Sequence, residues 1–417
     1  MSNEAARTGA PAIMLGLIRW LQAHHQIEAI SVLMRDGALR EDFEQTCQTH
    51  TWIPVDLNQP ERIHKRLSKA VFAGRQSDPG IWLTSIFENE KPDIIYLSTL
   101  VLGKYLQQIQ RRSNQRFITH VHELLPSLRQ LTSDHLVHTQ LTLSDAVIAC
   151  APCVSQTLIN HFSLSPSKCT LIPEYIIPHA ASPPPKRSLP PSEATSSEAT
   201  SSEGAGLEKI YQAIDAGHHI FGIGGNPIHR KGFDLLPLLI QECKQIFESP
   251  FLAVWIGCHP GSEAHSAMDW DLTNMGLQEN VALVPSVAMP TFRWILSQFD
   301  VLTLLSREDP FPLVVLEAGL LGIPTVCFKA SGAIPEFAAA GECVSVNYLD
   351  VPAFAAAVHR LCRDPQEGAQ IGERCRQKVK KDLTLEIVAP QVAKVLFADE
   401  GTTWVEGSKV SEAEFTQ

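Results

Sequence analysis

Apolar runs of strand length recur along the chain, separated by stretches whose apolar positions repeat at helical spacing. In the first part they fall at Ala29–Met34, Trp52–Val55, Asp93–Leu97, Phe117–Val121, Ala146–Cys150 and Thr170–Pro173. Helical patterns lie between several of them, notably Ile13–Gln22 and Leu100–Arg111. In the second part the runs are His219–Ile223, Phe251–Ile256, Val281–Val284, Asp300–Leu305, Thr325–Phe328 and Cys343–Val346. Strands alternating with helices predict parallel sheets covered by helices on both faces, here twice over. Between the two lies 178–206, where proline dominates first, SEATS then repeats, and Gly-Ala-Gly follows. Nothing in it can bury apolar area, so a disordered linker is expected. The expected domains are 1–177, the linker 178–206, a second α/β domain at 207–380, a helical segment at 381–398, part of a pattern over Cys375–Leu396 that Pro390 interrupts, and a frayed tail at 399–417.

One stretch departs from this alternation in what it leaves polar. Asp300–Phe337 reads as strand, acidic loop, helix, strand and loop. Pro312 pre-sets a first helical turn, and Val314–Leu321 is too apolar for a surface helix, so it should pack between layers. Gly322 and Pro324 close it. Asp309 remains in the loop before this helix and Glu317 within it, where an unpartnered carboxylate is costly. Helix N-termini offer free amides to anions. A loop–helix junction with two carboxylates therefore points to a nucleotide-linked ligand, phosphate on the amides of Leu313 and Val314 and ribose hydroxyls on Glu317.

Composition narrows the class. The chain has 417 residues, enough for two full α/β cores, and its 44% hydrophobic content is that of a globular protein. A net charge of −11 argues against non-specific binding to nucleic acid or anionic membrane. Its 10 cysteines lie mostly inside apolar runs rather than in a disulfide framework, which suits a reducing cytoplasm. Cys150-Ala-Pro-Cys153 has no second pair for zinc, so it reads as structure. No apolar run reaches the length of a membrane span. Basic residues gather at His64-Lys65-Arg66, Lys69 and Arg75, and at Arg111-Arg112 with Arg116. Solvated helix faces explain them best, and a transient membrane-surface or acceptor contact is the minority reading.

The string SREDPFPLVVLEAGLLGIP, with SGAIPEF and GECVSVNYLD after it, resembles the signature of the retaining glycosyltransferases of family 4. That family carries an acid, seven residues, then Glu; here the two are Asp309 and Glu317. The resemblance covers nearly all the chain except residues 1–7, the linker and the tail. It implies the GT-B fold of two Rossmann-like domains, in which the last helix, here 381–398, crosses back onto the first domain, together with a nucleotide-sugar donor and a saccharide or lipid-linked acceptor. It implies no metal and no further cofactor. In GIGGNPIHRKGF, Gly224 permits close backbone approach, and Lys231 matches the family's diphosphate-binding lysine, with Arg230 taking the role of the family's nearby arginine. His122, ending the strand in ITHVHELLPSL, matches a histidine near the reacting sugar carbon, whereas His120 reads as buried structure. His122 and Asp309 are thus the candidate catalytic residues. Gly9, Gly224, Arg230, Lys231, Leu313, Val314 and Glu317 are the candidate donor-binding residues. The implied mechanism is front-face transfer, with the leaving diphosphate stabilised electrostatically.

The start of the chain departs from the pattern. Thr8-Gly9-Ala10-Pro11 and the helix after it look like a first ligand loop, yet only MSNEAAR precedes them where the family has a hydrophobic strand. Either the chain begins inside its own first βα unit, or the sheet lacks its central strand. The expectation is a first domain with an unfilled central position and a loosely held Gly9 loop. A sugar-nucleotide epimerase or phosphorylase of the same fold and a non-catalytic binding protein are the rival functions. A nicotinamide oxidoreductase is disfavoured, because no glycine fingerprint follows a first strand.

Overall fold

The computed structural model of the chain describes residues 1–6, 8–52, 78–178, 186–188 and 201–398. It divides into two compact units, one formed by Met1–Glu174 with the segment that begins at Leu385, the other by Tyr175–Thr384. No described helix is long and apolar enough to cross a membrane.

In the second unit the six runs form strands β7 (His219–Gly224), β8 (Phe251–Ile256), β9 (Val281–Val284), β10 (Val301–Leu304), β11 (Thr325–Phe328) and β12 (Val344–Val346). All pair in parallel, in the order β12-β11-β10-β7-β8-β9. The chain runs outward from β7 on one side, then returns to β10 on the other. The order therefore reverses between β7 and β10, and a crevice opens at their carboxyl ends. Strands buried on both faces explain the unbroken apolar runs, with every residue of β8, β10 and β11 buried. Trp255 and Trp294 are wholly enclosed in this core.

In the first unit, β1 (Ile30–Leu33) pairs with β2 (Gln48–Thr51), and β3 (Ile94–Leu97), β4 (Arg116–Val121), β5 (Ala146–Ala149) and β6 (Cys169–Leu171) form a second parallel sheet. The expected gap between them is filled. Ser2 pairs in parallel with Leu33; its N–H donates to Val32 O (2.9 Å) and its carbonyl accepts from Met34 N–H (3.0 Å). On the other side Met1 O accepts from Ser98 N–H (3.0 Å), and the Met1 amine donates to Tyr96 O. Met1–Ser2 thus stands where a first strand belongs, and the expectation of a vacant central position is corrected. Burial pushes the Met1 amine down to about 5, a little offset by the Cys47 thiol. The chain thus has two Rossmann-like α/β units, each with a parallel sheet, as the alternation of strands and helices predicted.

Several local expectations shift. Trp52–Val55 does not supply β2, which lies just before it at Gln48–Thr51, and 53–55 fall outside the described residues. Leu100–Arg111 is not one helix: a short turn at Leu100–Leu102 leads into Gly103–Leu106 and the pattern stops there. The final helical pattern breaks not at Pro390 but at Leu383–Thr384, where Leu383 O accepts from Ile176 N–H (2.9 Å). Pro390 sits inside the Leu385–Leu396 helix. That helix belongs to the first unit: Trp20 Nε1 donates to Glu386 Oε2 (2.9 Å) and Arg116 Nη1 to Leu396 O (3.0 Å). The linker is shorter than its composition implied. A helix begins at Ser201, and Lys186–Ser188 is fastened to the second unit, Arg187 N–H donating to Gln298 Oε1 (2.6 Å) and Ser188 O accepting from Trp294 Nε1 (3.0 Å). The rest of the linker, the basic run at 64–75 and the tail lie outside the described residues.

Candidate functional site

The crevice of the second unit is built from two loops that hold each other. After β7 the chain turns through Gly224-Gly225, and the short turn His229–Lys231 ends at Gly232. After β10 it runs through Ser306–Asp309. The Arg230 carbonyl accepts from the N–H groups of Arg307 (2.8 Å) and Glu308 (3.2 Å), and Arg230 Nη1 returns a bond to Glu308 O (3.2 Å). Arg307 locks the pair from outside with a bidentate bond to Asp234 (2.7 and 2.9 Å) and another to His229 O (3.0 Å). Gly232 is forced by proximity: at φ +73°, a Cβ there would lie 2.0 Å from Leu305 O.

Lys231 and Asp309 meet where the two loops join, Nζ against Oδ2. The Ser306 hydroxyl donates to the same oxygen at 3.4 Å. Asp309 is 5% exposed, and its backbone is clamped by an N–H bond to Ser331 O (2.7 Å) and a bridge to Gly332. The SGAIPEF loop therefore serves to fix the acid. Three residues after Asp309, the helix Leu313–Leu321 starts at Pro312, which supplies no side-chain cap, so the amides of Leu313 and Val314 open the helix. Glu317 lies one turn in, with Oε2 shielded from water and without a partner. Burial pushes its carboxyl up to about 7, against the opposing pull of Arg293. This helix packs its Leu316 and Ala318 inward, as its apolar composition predicted.

Of the predicted site residues, the structure gathers Gly224, Arg230, Lys231, Asp309, Leu313, Val314 and Glu317 in the second unit. Gly9 and His122 belong to the first, Gly9 as the opening residue of the helix Gly9–His24. His122 follows β4, and its Nδ1 is held by Glu174 just beyond β6. Burial works against the imidazolium there, but Glu174 outweighs it and holds His122 above the usual histidine range. Its neighbour His120 is held well below that range by burial and by His122 itself. The Glu123 carboxylate accepts from the Thr99 hydroxyl and from the amides of Leu100 (3.4 Å) and His122 (3.2 Å), so it braces the loop. Burial nonetheless raises its pKa. The sequence reading missed Arg307 and Glu174. The signal for Glu174 was a lone carboxylate in the apolar run LIPEYIIP.

Comparisons with known proteins agree with this geometry. Residues 218–364 match the family model for glycosyl transferases group 1, a span that contains both crevice loops and the Leu313–Leu321 helix. A search of curated proteins returned no match. Among solved structures, the Anabaena protein HepE in complex with UDP-glucose superposes with a TM-score of 0.68 at 16% identity, over 95% of this chain and 98% of its own. Sucrose-phosphate synthase from Thermosynechococcus elongatus gives 0.65 at 18%, over 92% of each chain. A glycosyltransferase from Rickettsia africae gives 0.64 at 12%, over 96% and 98%. The second unit carries the glycosyl transferases group 1 pattern, and the whole chain shares the GT-B fold of these structures.

Proposed function

We propose that this protein transfers a glycosyl group, with retention, from a nucleoside diphosphate sugar to a saccharide or lipid-linked acceptor. The observation that carries the reading is the convergence of Lys231, Arg230 and Asp309 beside an uncapped helix N-terminus at the β7–β10 crevice. Two cations and a row of amides suit a diphosphate, and they do there what a divalent ion would otherwise do. Lys231 and Arg230 stabilise the leaving diphosphate, Asp309 holds sugar hydroxyls, and Glu317 accepts from the ribose. His122, oriented by Glu174, stands as the sugar-side group of the first unit. The match of residues 218–364 supports sugar transfer, and HepE bound to UDP-glucose supports a uridine donor as the first to try. Asp309 neutralises Lys231 before any donor arrives, so the diphosphate must share or replace that carboxylate.

Lys231→Ala tests the assignment. It should weaken UDP binding about tenfold or more, on the order of 1.5–3 kcal/mol for a charge-assisted contact, and leave uridine binding nearly unchanged. Because Asp309 would then be a buried, unpaired charge, Lys231→Ala/Asp309→Asn serves as the folding control. Equal losses for UDP and uridine would remove Lys231 from the diphosphate site. UDP release from UDP-sugars that rises with added acceptor separates transfer from epimerisation or mere binding.

A further inference from the structure

Met1–Ser2 takes the central position of the first unit only towards the carboxyl ends of its neighbours. Its bonds go to Val32 and Met34 on one side and to Tyr96 and Ser98 on the other. Both β1 and β3 begin earlier, and between their amino-terminal halves a cavity of about 870 Å³ opens. Ile30 and Ile94 line its two edges, Met1 lines it too, and Ile18 and Leu21 of the Gly9–His24 helix form a wall. Phe397 also borders it, just past Leu396, whose carbonyl accepts from Arg116 at the amino end of β4. Ile18, Ile30, Ile94 and Phe397 are only half-buried beside a core that is otherwise enclosed.

The backbone on either side of this slot is directed into it. Along a parallel strand, successive residues present their N–H and C=O groups to opposite neighbours. The carbonyls of Val32 and Tyr96 accept from Ser2 and Met1, so those two residues face the central position, whereas Leu33 faces β2 and Asp93 faces β4. By the same alternation the N–H groups of Val32 and Tyr96, and the carbonyls of Ile30 and Ile94, face the central position one step earlier. Among the described residues no backbone bond reaches these four groups across it. One extended residue that donates to Ile30 O and accepts from Val32 N–H, preceded by one that donates to Ile94 O and accepts from Tyr96 N–H, satisfies all four. This is strand addition with a receiving edge on each side, and apolar walls with a row of peptide groups select a peptide.

We propose that the slot receives the C-terminal segment of this same chain, with Thr402–Val405 as the inserted strand. The chain borders the slot at Phe397 and carries residues 399–417 beyond it. Thr402-Thr403-Trp404-Val405 is three β-branched residues and one aromatic, set between Gly401 and Glu406-Gly407, and no proline follows Pro390. From Ala398 to Thr402 an extended chain spans roughly 13 Å, ample for a segment that starts at the slot's edge. A strand entering from the amino ends of β1 and β3 runs parallel to both, as every other pair in this unit does. The central strand would then be assembled from the two ends of the chain, Thr402–Val405 below and Met1–Ser2 above. The inference does not rest on sugar transfer.

The test is amide hydrogen exchange on untagged, full-length protein without nucleotide. Val32 and Tyr96 report on the slot, Leu33 and Leu97 on the sheet pairs already formed, and the amides of β8 on folding of the second unit. In the wild type, Val32 and Tyr96 should exchange within about tenfold of Leu33 and Leu97. Thr403→Pro and Trp404→Pro each delete one ladder donor, and successive donors face opposite neighbours. Each should speed exchange at Val32 and Tyr96 by about tenfold or more and leave β8 unchanged. Ser411→Pro, beyond the strand, should change neither. Fast exchange of Val32 and Tyr96 in the wild type would overturn the proposal. Slow exchange that both proline variants leave intact would mean that something else shelters these amides, and would overturn it too. Protection that falls on dilution would assign the strand to a second copy of the chain and rule out filling by the chain's own end.

Discussion

A single buried carboxylate sets the pH response expected of the β7–β10 crevice. Burial holds Glu317 at about 7, against an unfolded value near 4.5. The folded state therefore holds a proton that the unfolded chain releases between those values. The stability from this group is full below about pH 4.5 and is lost as pH rises through 7, to a limit of roughly 3 kcal/mol. Ribose hydroxyls need the charged acceptor, so donor affinity should run the other way and rise across pH 6–8. Glu317→Gln should flatten both profiles and leave the protein more stable than wild type at pH 8. Thermal melts and donor titrations at several pH values check this; unchanged profiles would take Glu317 out of the site. At this scale the sequence was readable where a polar residue stood alone in an apolar run, as Asp309 and Glu317 did. It was unreadable where the partner came from elsewhere in the chain. That His122 meets Glu174, and Lys231 meets Asp309, depends on which strands end next to each other.

At the scale of elements, the crevice depends on one loop pressed against another. Gly332 has φ +136°, and a Cβ on it would lie 1.7 Å from Asp309 O. Gly332→Ala should therefore cost at least about 2 kcal/mol and weaken UDP binding with it, because the acid loop must move. Gly261→Ala is the comparison: its φ is +75° but nothing lies within 4 Å, so only the smaller backbone cost remains and UDP binding should not change. Equal effects on UDP binding would show that the clamp is not what places Asp309. Strands of the second unit were legible almost to the residue, because burial on both faces leaves uninterrupted apolar runs. Helix ends were less so. Pro390 looked like a break, yet the break falls at Leu383, where the backbone bonds to Ile176 instead of continuing its own ladder. β2 hid because Gln48–Thr51 is polar throughout, its strand character conferred by pairing with β1. Nor did two residues read as a strand at Met1–Ser2, where neighbours on both sides supply the bonds.

For the whole molecule, two α/β units were legible because the periodicity repeats on either side of a segment that cannot form a core. What composition alone could not show, and the family resemblance implied, is that the first unit is discontinuous in sequence. The Leu385–Leu396 helix completes it, with Val388, Ala389 and Val392 buried and Glu386 bonded to Trp20. A chain cut after Thr384 should therefore keep a folded second unit and lose several kcal/mol from the first, since three core side chains at about 1.5–3 kcal/mol for the largest leave together. Two separated unfolding transitions, with only the earlier one shifted, are expected by calorimetry; an unshifted first transition would mean the helix is dispensable. The same discontinuity fixes an order of events during synthesis. The ribosome must make all of Tyr175–Thr384 before it reaches the helix that closes the unit it began with. At roughly 5–20 residues per second that is a delay on the order of ten to forty seconds. Through that interval the Gly9–His24 helix displays an uncovered apolar flank. The unit translated first is the last to be finished, and it is the one a chaperone would have to shelter.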